Sequence, residues 1–123
     1  MRLMKAGHMK RALIAGVLLC LAAAAVVTAQ SKREFTVHAK RFSFTPSRLD
    51  VTQDDMVKVT FTADDIAHSF TIDEYRIAKR ADAGQTVTFE FRADRPGTHR
   101  IYCNLTNDEG CRRMHGELVV RGR

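Results

Sequence analysis

Tyr102-Cys103-Asn104-Leu105-Thr106-Asn107-Asp108-Glu109-Gly110-Cys111-Arg112-Arg113-Met114-His115-Gly116 lies between two strand-like runs, Thr98 to Tyr102 and Glu117 to Arg121. It holds two of the three cysteines, one of the five methionines and one of the five histidines. Thiolate, thioether and imidazole are the donors that soft and borderline metals prefer, copper above all. A loop held by two strands is a common way to fix such donors in space. One further donor is expected from elsewhere in the chain, and His68 is the candidate.

Upstream, the chain reads as short strands separated by turn signals. Glu34 to Lys40 alternates apolar and polar residues, as a half-buried strand does, and Phe42-Ser43-Phe44 continues that alternation. Thr45-Pro46-Ser47 marks a turn before Leu49 and Val51. Met56 to Thr62, His68 to Ile72, Tyr75 to Lys79 and Gln85 to Phe91 follow, with turns at Gln53-Asp54-Asp55, Ala81 to Gly84 and Arg95-Pro96-Gly97. No amphipathic helix is expected after the N-terminal segment. Seven or eight such strands predict an all-β, antiparallel sandwich. Its expected core is Phe42, Phe44, Leu49, Val57, Val59, Phe61, Phe70, Ile72, Val87, Phe89, Phe91, Ile101, Leu118 and Val120.

The N-terminus reads as an export signal. Arg2, Lys5, Lys10 and Arg11 precede an uncharged, mostly apolar stretch from Ala12 to Ala29, and Val27-Thr28-Ala29 fits a small-residue cleavage site. Residues 1–29 are therefore expected to be a signal peptide and 30–123 one domain. An uncleaved anchor is the alternative, since the apolar stretch is just long enough to span a bilayer. Cys20 follows Leu19, where a lipid-attachment site wants a small residue, so it is expected to leave with the signal. The whole chain carries +6, from 20 basic and 14 acidic residues. The signal holds four of the basic residues and no acidic one, so the remainder carries 16 − 14 = +2. No basic cluster interleaved with aromatics is present, which argues against a nucleic-acid partner. Export to a periplasmic or other oxidising compartment also allows a Cys103–Cys111 disulfide.

His68-Ser69-Phe70-Thr71-Ile72, Asp82-Ala83-Gly84, Arg95-Pro96-Gly97, Cys103 and Met114-His115-Gly116 fall in an order and spacing that resembles a cupredoxin domain. The pattern is similar to the copper domain of cytochrome c oxidase subunit II, and to the cupredoxin-like domain of periplasmic iron-uptake proteins. The resemblance covers about residues 34–121. It implies a Greek-key sandwich with copper at one end. In the oxidase pattern the terminal loop reads Cys-x3-Cys-x3-His-x2-Met. Cys103 and Met114 keep that separation, but Asn107 stands at the second cysteine and Cys111 at the histidine. A dinuclear centre would thus lack one bridging thiolate and one imidazole, so the resemblance implies a single copper. His68 matches the family's first histidine ligand.

Each candidate has a plainer reading. His68 could be a satisfied structural histidine. Cys103 and Cys111 could form a disulfide, adding about 2–3 kcal/mol by closing a short loop, or both could be ligands, with copper bound only to the reduced form. Met114 could be a core plug instead of an axial ligand. His115 is the natural substitute for the missing imidazole, but it faces away from Met114 if the segment is extended. His38 and His99 are expected at the surface, Asp54-Asp55 and Asp64-Asp65 in turns, and Arg112 and Arg113 on a solvated edge that could dock an acidic partner. No serine–histidine–acid or paired-carboxylate arrangement is present, which disfavours hydrolytic enzymes.

The expectation is an exported, monomeric, copper-binding domain using His68, Cys103, Met114 and Cys111 or His115. Mononuclear electron transfer with a redox protein is the leading role. Periplasmic copper handling through a Cu(I) thiolate–thioether site, with a copper-exchange partner, is the second. A metal-free, disulfide-closed binding module is the third. No membrane association is expected once the signal is removed.

Overall fold

The computed structural model describes residues 31–123. The expected signal or anchor, residues 1–29, lies outside them. Nine strands follow in chain order: β1 (Lys32–Lys40), β2 (Ser43–Thr45), β3 (Arg48–Thr52), β4 (Met56–Ala63), β5 (His68–Ile72), β6 (Ile77–Ala81), β7 (Thr86–Arg92), β8 (Gly97–Tyr102) and β9 (His115–Arg121). A 3-10 turn, Asp73–Tyr75, joins β5 to β6. One short helix, α1 (Glu109–Arg113), interrupts the cysteine loop. Among the described residues no helix is long and apolar enough to cross a membrane.

Two sheets form the sandwich, in the orders β2-β1-β4-β7 and β3-β9-β8-β5-β6. The predicted β-sandwich is present, but its pairing is mixed, not wholly antiparallel. β1 runs parallel to β4, with Lys32 opposite Met56 through Ala39 opposite Ala63. β3 runs parallel to β9, with Leu49 opposite Leu118 and Val51 opposite Val120. Parallel neighbours need a crossover, which local alternation does not reveal.

Alternation then decides what each strand buries. In β4, Val57, Val59, Phe61 and Ala63 point inward. They meet Val37 and Ala39 of β1, Leu49 and Val51 of β3, and Leu118 and Val120 of β9 in one core. Phe70 of β5 is its hub: its ring centroid lies 5.4 Å from Phe89, 5.7 Å from Phe61 and 6.3 Å from Phe44. At the β6–β7 turn, Gly84 takes a left-handed φ of 75° while its N–H donates to Ala63 O at 2.8 Å. That conformation favours glycine.

Four expectations about packing need correction. Phe42 is not core but 43% exposed. β1 ends at Lys40, so the alternation does not run unbroken into Ser43–Thr45. Val87, Phe89 and Phe91 are only half-buried, because β7 is the edge of its sheet. His99 is buried, not a surface residue, since it shares the inward face of β8 with Ile101.

Candidate metal centre

β5 sits inside its sheet, between β8 and β6, and all five of its residues are buried. Phe70 and Ile72 enter the core, and His68, two residues before Phe70, occupies the same face near the end of the sandwich. Its neighbour Ser69 is on the opposite face, where its hydroxyl donates to Asn104 Oδ1 at 2.7 Å and accepts from Asn104 N at 2.7 Å. The same residue's backbone N–H donates to Cys103 Sγ at 3.4 Å. These bonds fix the end of β8 against the start of β5.

The chain leaves β8 at Cys103, crosses Asn104 to Asn107 and turns into α1. Asp108 caps that helix, its carboxylate accepting the Gly110 N–H at 2.8 Å. Short polar side chains do this because the first helical N–H groups have no partner within the helix. One turn then carries Cys111 back to Cys103, and the two form a disulfide with Cα atoms 5.2 Å apart. Both cysteines are 2% exposed. Met114 N–H donates to Cys111 O at 3.2 Å, and the Met114 side chain is fully buried. Phe42 covers this helix from outside: a Cβ at Gly110 would lie 2.1 Å from its ring, so only glycine permits the contact.

His68 is fully buried, and its Nε2–H donates to the Asp65 carboxylate at 2.8 Å. A carboxylate partner on Nε2 places the proton there and leaves the Nδ1 lone pair free. Nδ1 is the single buried side-chain nitrogen or oxygen without a hydrogen-bond partner among the described residues. Leaving such an atom unsatisfied costs about 1–3 kcal/mol, and bound ions are one way the cost is met. Asp65 is itself held by the N–H groups of Arg41 at 2.9 Å and Ile66 at 2.7 Å. Desolvation alone would push its carboxyl up, but the Arg41 N–H, His68 and the Ile66 N–H together hold it well below the usual carboxylate range.

His68, Cys103 and Cys111 are thus buried at one end of the sandwich, with Met114 buried beside Cys111. His115 is not among them. It begins β9 opposite Tyr102 and is exposed. In the disulfide form the two sulfurs satisfy each other, and among the described residues no three histidine, cysteine or carboxylate side chains converge as a ready metal cluster. The donor chemistry fits copper once the disulfide opens: one imidazole with a free, buried lone pair, two sulfurs and a thioether. His38 stays at the surface, paired with Asp64 at 2.9 Å. His99 Nε2–H donates to Arg95 O at 2.8 Å.

Asp65 was not expected in the site, because Asp64-Asp65 reads as a turn. The available signal was its position three residues before His68, where a carboxylate can reach back to the imidazole. Phe42 and Gly110 had no such signal, since their contact joins segments 68 residues apart in the chain.

Residues 11–120 match the model of the cupredoxin-like domain family, and the chain belongs to that family. It is 31% identical over 83 residues to the nitrous-oxide reductase of Stutzerimonas stutzeri, an alignment that spans 64% of this chain and 12% of the reductase. Among solved structures, one chain of a heme-copper terminal oxidase dimer superposes with a TM-score of 0.68 at 17% identity, covering 95% of this chain and 99% of that one. The metal-binding domain of the Cu(I)-exporting P-type ATPase of Streptococcus pneumoniae, solved with Cu(I), superposes with a TM-score of 0.61 at 12% identity, covering 76% and 90%. The two structural likenesses show a fold shared with copper proteins.

Proposed function

We propose that this domain is an exported copper-handling protein that binds one Cu(I) in its dithiol form, through His68 Nδ1, Cys103, Cys111 and Met114. The observation that supports the reading most is the orphaned, fully buried Nδ1 of His68, on the strand whose next N–H holds Cys103 Sγ. Blue-copper electron-transfer sites use two imidazoles with one thiolate. Here a buried cysteine stands where the second imidazole belongs, and His115 faces solvent. Two thiolates, a thioether and one imidazole make a soft donor set, which favours Cu(I). Copper is then cargo, held until a partner with competing soft ligands takes it. The disulfide itself supports export, because such bonds persist in oxidising compartments.

The test is a visible and electron-spin spectrum of the reduced protein after copper loading. The expected result is a colourless, spin-silent complex with one copper per chain. An intense thiolate-to-Cu(II) band with mononuclear hyperfine structure would transfer the site to electron transfer. No copper uptake after full reduction would leave a disulfide-closed module without metal.

A further inference from the structure

Beside the disulfide lies a cleft of about 270 Å³, walled by Arg100, Tyr102, Cys103, Leu105 and Arg112 among others. Cys103 reaches it and Cys111 does not. The Arg100 guanidinium lies over the Tyr102 ring, 4.9 Å from its centroid. The Arg112 guanidinium donates only to Thr106 O, at 3.4 Å. Among the described residues neither guanidinium has a carboxylate within ion-pair distance, although Arg48, Arg80 and Arg92 each do. Both guanidiniums line the cleft without forming an ion pair, although Glu117 stands opposite Arg100 on β9, and guanidinium N–H groups are suited to carboxylate oxygens. The volume falls just below that of pockets for drug-sized ligands, ~300–1,000 Å³. Cys103, like Cys111, is 2% exposed.

We propose that this cleft is a binding site for a small, carboxylate-bearing thiol that exchanges with the Cys103–Cys111 disulfide. It rests on the copper reading for its purpose, because the sulfurs that exchange frees are the proposed copper donors. With its carboxylate on Arg100 and Arg112, the thiolate attacks Cys103 Sγ. The Cys103–Cys111 bond breaks and Cys111 leaves as thiolate, taking a proton from solvent. A second molecule of the thiol attacks the first one's sulfur, releasing the Cys103 thiolate and a symmetrical disulfide. Two electrons pass from two thiols to one protein disulfide. In reverse, the oxidised thiol closes the bond again, so the ratio of its two forms sets whether the donors are free. Attack falls on Cys103 because the cleft reaches that cysteine and not Cys111; the Ser69 N–H then stabilises the Cys103 thiolate when the second thiol releases it.

The test compares reduction of the oxidised protein by glutathione and by glutathione diethyl ester, in the wild type and in R100Q/R112Q. Taking the ratio of the two rates within each protein cancels the thiols' intrinsic reactivities. The glutathione preference is expected to be about tenfold greater in the wild type, the scale of one charge-assisted contact, and to shrink in high salt. Equal preference in both proteins would overturn the site. So would loss of reduction by a protein dithiol with glutathione unaffected, since that assigns the arginines to a macromolecular partner. A second measurement uses single-cysteine variants treated with oxidised glutathione. Cys111→Ser, which leaves Cys103 at the cleft, should form the mixed disulfide faster than Cys103→Ser; the reverse order overturns the assignment of the attacked sulfur. Copper uptake is measured separately, so a protein that exchanges selectively yet binds no copper refutes the copper reading and leaves the cleft standing.

Discussion

Asp65 and His68 form the smallest unit on which the site depends. The carboxylate holds the Nε2 proton, and so leaves Nδ1 as the imidazole nitrogen without a partner. Its acid constant is depressed in the folded protein, chiefly by three N–H donors that outweigh desolvation. A depressed carboxylate contributes stability that is present above its unfolded value, about 3.9, and is lost as pH falls through the lower folded value. Asp65→Asn should therefore cost about 1–3 kcal/mol at neutral pH, the range for hydrogen bonds to a charged group. The cost should shrink as the pH is lowered below 4. Urea unfolding of both proteins between pH 7 and pH 3 checks this; a gap that widens on acidification would contradict it. His68 itself was legible in the sequence, through its place in an alternating strand and its order before Cys103. Its protonation geometry was not, because it depends on where the preceding turn folds back. His99 shows the same limit in another form. Its alternation with Ile101 pointed inward, yet a polar residue in a strand invites a surface reading until its carbonyl partner, Arg95 O, is seen.

At the scale of the element, the cysteine loop is a strand end, a capped turn of helix and a second strand. The sequence left Cys111 open between disulfide and ligand, since both readings require a buried cysteine brought back toward Cys103. The intervening helix supplies that return. The contact that presses on it from outside comes from the β1–β2 turn. Arg41 N–H holds Asp65 while Phe42 lies on Gly110, so one turn touches both halves of the site. Alanine is the better helix former by about 1 kcal/mol. In the presence of Phe42, however, a methyl group at Gly110 would overlap the ring. Gly110→Ala should accordingly destabilise the wild type by about 1 kcal/mol or more, and be neutral or stabilising in a Phe42→Ala background. A thermal-unfolding double-mutant cycle measures the difference. Additive effects would show that the ring does not rest on the helix. Phe42 departs from the expected core because period-two alternation does not carry across the break after Lys40, where the chain turns and the inward face is reset.

Across the whole molecule, the sandwich was legible because strand alternation, turn residues and length all agree on it. The parallel pairings β1–β4 and β3–β9 were not, since they join segments whose local patterns say nothing of direction. The core they enclose centres on Phe70, which packs against three rings of the opposite sheet, Phe44, Phe61 and Phe89. Phe70→Ala should cost about 3–5 kcal/mol in urea unfolding. A cost under 1 kcal/mol would show that the cluster is not the centre of the fold. On the proposed copper reading, uptake should depend on whether the Cys103 and Cys111 sulfurs are free. The direct measurement is a competition titration of Cu(I) against a chromophoric chelator, with the protein fully reduced and, separately, with the Cys103–Cys111 bond intact. The account predicts one Cu(I) per reduced chain, and an affinity at least about a hundredfold weaker in the oxidised form, which lacks both thiolates. Equal affinity in the two states, or no affinity in the reduced one, would contradict it.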